Sequence, residues 1–175
     1  IFTREYTSYL VLKKCLPSYV NLVADHDTAL NLRVEDFDNS LIKQKYSFYG
    51  IRSDKELCQM QTKSIFSPWI DPIAYSRSFM EWFLLHARAK EIVTNRLHSS
   101  ILGTILGKNT TLLPNVYHKN RSVWEFSLAN QGVKWRENLP VGSFDAWISS
   151  QPFMSRRQVS KVLGNLIKLY YLKLA

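Results

Sequence analysis

The sequence predicts an α/β fold, a Rossmann-like parallel sheet with helices on both faces, and three observations carry that expectation. Short apolar runs alternate with segments of helical apolar spacing, as in "EIVT" (91–94), 97–106 and "TTLLP" (110–114). Polar caps and glycines punctuate them, Asn95 before one helix and Gly107 after it. With 175 residues, 46% hydrophobic and 13% aromatic, the chain has enough apolar surface for one real core and is not disordered.

The elements follow in order. "IFTRE" opens without Met and reads as the end of a strand entering a helix, as expected of a fragment or processed product. Tyr6, Tyr9, Leu10, Leu12 and Cys15 predict a helix over 5–15, and "CLPS" stops it. "YVNLVAD" (19–25) reads as a strand, "ALNL" (29–32) as another short one, and "RVEDFDNSLIKQ" (33–44) as a polar connection. "KYSFYGI" (45–51) is apolar and aromatic enough for a buried strand, followed by the charged turn "RSDKE" (52–56). Phe79, Phe83, Leu84 and Ala87 give an apolar face to a helix over about 77–90, with Pro68 and Pro72 safely upstream. The predicted parallel sheet therefore contains residues 19–24, 46–51, 91–94 and 110–113.

Function is bounded by charge first. Twenty-three Lys and Arg against 14 Asp and Glu leave a formal +9, which suits an anionic partner: a phosphorylated small molecule, a nucleic acid or an acidic membrane surface. Cys15 and Cys58 are far apart and lack metal-ligand spacing, so reduced cytosolic thiols are expected, without disulfide or zinc. His86 and His118 have no second ligand at helical spacing, and no metal is expected. No apolar run reaches the ~18 residues of a membrane span.

Within this frame, Arg96 and His98 draw interest. A helix starting near Asn95 after strand "EIVT" puts both in its first turn, at the carboxyl edge of the sheet, where helix N–H groups and the positive dipole end favour anions. Leu97, Ile101, Leu102, Ile105 and Leu106 hold that helix to the sheet. Spacing alone fits equally a solvated Arg96 and an ordinary first-turn His98. Arg52 is either a second cation at the edge or part of a charged turn, and Lys119 and Arg121 follow "TTLLP" toward the cleft. Tyr117 either stacks on a sugar or caps the core. His26, between Asp25 and Asp27, is read as solvated loop, and Trp124, Phe126 and Trp135 as packing.

The blocks "FTREYTSYLVLKK" (2–14), "VADHDTALNL" (23–32), "YGIRSDKE" (49–56), "EIVTNRLHSSILGTILGKNTTLLPN" (91–115) and "YHKNRSVWE" (117–125) together resemble the C-terminal half of polysaccharide pyruvyl transferases. The Arg-Leu-His block is the most specific, while Asn95 departs from a frequent Asp and His26 from an expected Pro. This resemblance implies half of a GT-B-like fold: residues 1–150 as a donor-binding domain, a missing N-terminal half that supplies most of the acceptor site, and phosphoenolpyruvate as donor substrate without further cofactor. It further implies His98 as catalytic acid, Arg4 and Arg96 as anion clamps, and Leu97, Arg52, Tyr117 and Lys119 as substrate contacts. The acceptor would be an oligosaccharide or lipid-linked sugar of a cell-surface or exopolysaccharide.

The tail "SRRQVSKVLGNLIKLYYLKLA" (155–175) has five Lys or Arg and no acid, so 151–175 is expected as a basic amphipathic helix. It would pack on the missing half or lie on an anionic leaflet, placing a cytoplasmic enzyme at the inner face of the membrane. Two other classes remain: a GT-B glycosyltransferase using a nucleotide sugar, and a non-catalytic basic domain. Against them, no ribose-binding loop with a carboxylate is recognisable, and the basic residues are dispersed rather than aligned for nucleic acid.

Overall fold

The structure is a computed structural model that describes residues 1–56 and 69–138. The expected helix at 151–175 lies outside them. Five strands form one parallel sheet in the order β4-β3-β5-β6-β7: β3 (Tyr46–Gly50), β4 (Trp69–Ile70), β5 (Ala89–Thr94), β6 (Asn109–Leu112) and β7 (Lys134–Trp135). β5 is the centre, with Ile92 paired to Phe48 and Thr110 and Thr94 to Gly50 and Leu112. The sequence pattern thus gave the parallel α/β character and three of the strands.

Helix α3 (Phe79–Ala87) begins at Ser78, whose Oγ accepts from the Glu81 N–H, while the Glu81 carboxylate accepts from the Arg77 N–H. Leu85 buries its side chain with Phe48 and Ile92. Helix α4 (Leu97–Ile105) packs on the same sheet face through Leu97 and Ile101, which meet Leu112, Val123 and Leu128. Its Gly103 lies so close to the sheet that a Cβ there would meet Thr110 Oγ1 at 2.6 Å and Ile92 Cδ1 at 3.0 Å. Between the helices, Phe83 and Ala87 pack with Leu102 and Leu106. These contacts establish one helix-covered face; on the opposite one Val93 is buried with Ile51 and Leu113. Gly107, at φ +63°, takes the left-handed conformation that closes α4.

Several expectations need correction. Residues 19–24 do not join the large sheet: only β2 (Val23–Ala24) is a strand, and it pairs in parallel with β1 (Phe2–Thr3) in a separate two-stranded sheet. The apolar run "YVNLVAD" signalled a strand, but none of its residues is buried, and nothing in it says which partner would supply the hydrogen bonds. From β1 the chain enters α1 (Tyr6–Cys15), capped by Glu5, which accepts from the N–H groups of Thr7 and Ser8. "ALNL" is no strand; Asp27 accepts from the Ala29 N–H and winds Thr28–Asn31 into a 3-10 turn. Helix α3 stops at Ala87 rather than 90, because Ala89 and Lys90 already belong to β5. Strands β4 and β7 are two residues each, too short to display a period. After β4, Asp71 caps the short α2 (Pro72–Tyr75), with Pro72 at its first position.

Candidate functional site

All five strands of the large sheet are parallel, so the chain leaves β3, β4, β5 and β6 at one carboxyl edge. The segments that follow them line a cleft of about 160 Å³: Arg52 and Glu56 after β3, Ile73 after β4, Arg96 to Ser99 after β5, and Asn115, Lys119 and Asn120 after β6. Trp82 of α3 completes the wall.

Arg96, not Asn95, caps α4, and its side chain makes no capping bond to the N–H groups of the first turn. Asn95 is instead drawn fully into the interior, where its Oδ1 accepts from the Arg52 N–H at 2.8 Å. That bond ties the ends of β3 and β5 together, an option open to an asparagine amide at a strand end as readily as capping. The Arg96 guanidinium is committed: Nε and Nη2 reach the two Asp71 oxygens at 3.1 and 2.7 Å, and Nη2 also reaches Asp54 at 3.2 Å. Arg52 grips both Asp54 oxygens, at 2.8 and 2.9 Å, and pairs with Glu56. Burial lowers the affinity of Arg52 for its proton, but the bonds to Asp54 and Glu56 outweigh this and hold it above its usual range. The Arg52 bond in turn holds the Asp54 carboxyl at about 2 despite some desolvation.

Lys119 opens the short helix α5 (Lys119–Val123) and lines the cleft without an ion pair or hydrogen bond of its ammonium group among the described residues. Desolvation first, and the nearby Arg4 charge second, lower its pKa. Among the described residues, then, the Lys119 ammonium faces the cleft without a partner, whereas Arg52 and Arg96 are shared with carboxylates. The neighbouring Tyr117 is exposed and donates its hydroxyl to Glu56 at 3.0 Å. Partial burial and that bond raise its pKa.

The sequence-predicted residues divide clearly. The cleft brings together Arg52, Arg96, Leu97, His98 and Lys119. Leu97 is mostly core, packed against Ile101 and Leu112. Arg4 does not join Arg96; it pairs with Asp27 at 2.9 Å, and the same Asp27 oxygen lies 3.7 Å from His98 Nε2. His98 itself stands exposed at the rim, its side chain 61% accessible. Asp27 is buried, so the reading of "DHD" as solvated loop fails for it. His26 contacts the Ser127 hydroxyl at 2.8 Å and packs on the Phe126 ring.

Sequence reasoning missed Asp71, which holds Arg96, and Asn120, which ties the strand ends together. Asp71 had a signal, Asp before Pro at a helix start. Asn120 had none: its fully buried Nδ2 donates to the carbonyls of Asn95 and Leu113 at 2.8 and 2.9 Å, joining α5 to the ends of β5 and β6. Among the described residues no group of three or more His, Cys, Asp and Glu is placed to hold a metal, and no helix is long and apolar enough to cross a membrane.

A family model described as polysaccharide pyruvyl transferase matches residues 1–115. Among solved structures, an uncharacterized protein of Klebsiella pneumoniae subsp. pneumoniae NTUH-K2044 is similar in fold, with a TM-score of 0.57 and 23% identity over 80% of this chain. The chain spans 54% of that protein's length. No curated protein matches the sequence.

Proposed function

Because the chain belongs to the polysaccharide pyruvyl transferase family, we propose that it transfers pyruvate from phosphoenolpyruvate, as a ketal, to a sugar of a cell-surface or extracellular polysaccharide. The observation that carries this reading is the start of α4: a first turn that the N-cap side chain leaves uncapped lines a cleft shared with His98 and with Lys119, whose ammonium has no partner among the described residues. Such a site suits a small, highly charged anion.

In the proposed reaction a proton adds to the methylene carbon of phosphoenolpyruvate and C2 becomes oxocarbenium-like. Two sugar hydroxyls attack C2 as the bond to the phosphate oxygen breaks. Of the two hydroxyl protons, one balances the proton placed on the methylene and the other leaves with phosphate. His98 supplies the first proton. Lys119 and the α4 amides hold the anion, and Arg52 and Arg96, fixed by Asp54, Glu56 and Asp71, give the wall its shape and its N–H donors. The described domain is the donor-binding half of a GT-B-like enzyme, with the acceptor, an oligosaccharide or lipid-linked sugar, bound mainly by another half. Such an acceptor places the enzyme in the cytoplasm at the inner face of the membrane.

Thermal unfolding tests the donor. Phosphoenolpyruvate should raise the melting temperature, since a ligand bound only by the native state stabilises it by mass action, and UDP-sugars should raise it less. Equal or larger shifts with UDP-sugars would replace this reading with a nucleotide-sugar glycosyltransferase.

A further inference from the structure

Asp27 stands where the small sheet meets the cleft. It follows β2, is 7% exposed, and is fixed by the Ala29 N–H at its Oδ1. Its Oδ2 receives Arg4 Nη1 at 2.9 Å and lies 3.7 Å from His98 Nε2. Arg4 comes from the end of β1 and His98 from the first turn of α4, so one oxygen joins residues 94 positions apart on two different sheets' borders.

We infer that Asp27 is a positioning residue, coupling Arg4 to His98 and aiming the His98 imidazole at the cleft. This rests on the reading of His98 as proton donor. At 3.7 Å the contact is an ion pair whenever the imidazole is protonated, not a hydrogen bond that immobilises it. His98 is otherwise an exposed side chain, whose rotamer freedom would scatter its ring nitrogens away from a bound substrate. A buried, doubly anchored carboxylate restricts that scatter and leaves the imidazole able to turn and release its proton. Arg4 keeps the carboxylate from facing His98 as an isolated buried charge. The other charged groups at the cleft are Arg52, Glu56, Arg96 and Lys119, and the first three already hold one another or Asp54 and Asp71. Asp27 is thus the carboxylate in contact with His98 among the described residues.

The test has two readouts, spectra of this chain and turnover of this chain together with the acceptor-binding half. Asp27→Asn keeps an oxygen for the Ala29 N–H but removes the charge. In heteronuclear NMR it should shift and broaden both the His98 ring and the Arg4 guanidinium resonances, whereas Asp25→Asn leaves both in place. In turnover with phosphoenolpyruvate, Asp27→Asn should lower kcat about tenfold or more with donor KM changed less than threefold, and Asp27→Glu should recover part of the loss. On a His98→Ala background, Asp27→Asn should cost nothing further. Unchanged His98 resonances in Asp27→Asn overturn the inference whatever the activity. So does normal kcat in that variant, or an equal further loss on the His98→Ala background. A wild-type protein that shows the NMR coupling but, with the acceptor-binding half and a sugar acceptor present, never turns over phosphoenolpyruvate sinks the pyruvyl-transfer reading instead, with the Arg4–Asp27–His98 coupling standing.

Discussion

Arg96 and Asp71 form a two-point ion pair across the carboxyl edge, at 3.1 and 2.7 Å, with the Asp71 side chain only 4% accessible. Asp71 also accepts from the N–H groups of Ser53 and Ile73, so one carboxylate organises the ends of β3, β4 and β5. Asp71→Ala should therefore cost about 3 kcal/mol, as expected when a mostly buried pair loses one partner. Urea denaturation reads the loss directly; a cost under about 0.5 kcal/mol would mark the pair as incidental.

The same carboxylates set the acid limit of stability. Desolvation works against ionised Asp71, but Arg96 prevails and its pKa is lowered, while Arg52 holds Asp54 at about 2. A depressed folded-state pKa means stability that is present above the unfolded value near 3.8 and lost as pH falls toward 2. Urea midpoints measured from pH 5 down to 2 should fall steeply below pH 4. In Asp71→Asn that lower slope should be shallower.

His86 predicts a second transition at higher pH. It is fully buried against Phe48 and Trp82, its Nδ1 bonds the Trp82 carbonyl, and burial lowers its pKa to about 4. The unfolded chain binds this proton near 6.5 and the folded one does not, so stability falls as pH drops from 6.5 toward 4. The loss is on the order of 3 kcal/mol across that window. His86→Phe should flatten the stability profile there, and an unchanged slope would assign it to other groups.

Gly103 tests the packing of α4. Gly103→Ala places a methyl 2.6 Å from Thr110 Oγ1 and 3.0 Å from Ile92 Cδ1, and Thr110 is a stiff β-branched residue on a central strand. The expected cost is about 1–3 kcal/mol. Thr110→Ala should restore part of it in a double-mutant cycle, since the closest atom is then gone.

Lys119 and His98 should separate kinetically. Lys119→Ala removes a cleft cation that has no carboxylate partner among the described residues and should weaken donor binding by a charge-assisted contact, about 1.5–3 kcal/mol, with kcat changed less. His98→Ala should leave donor affinity largely intact and lower kcat about a hundredfold, as for loss of a general acid. Arg96→Ala would confuse affinity with stability, because it strands the buried Asp71. Near-normal turnover in both Lys119→Ala and His98→Ala, measured with the acceptor-binding half present, would remove this cleft from the reaction.

Local pattern by itself determined the parallel α/β character, the strands around 46–51, 91–94 and 110–113 to within one or two residues at their ends, helix α4 and the Arg-Leu-His junction at the carboxyl edge. Those features rest on apolar period and on residues near one another in sequence, which a linear reading captures. Tertiary structure alone decided the partner of "YVNLVAD", since a strand's hydrogen-bonding partner is not written in its own alternation. It also decided which cations are engaged. Arg96 and Lys119 look alike in sequence, yet Asp71, 25 residues away, claims the one, while the other has no partner among the described residues, and Asp27 gathers Arg4 and His98 across most of the described sequence. Ion pairs of that separation depend on where the folded chain brings side chains within a few ångströms, and Coulomb energy at such distances has no counterpart in local propensity.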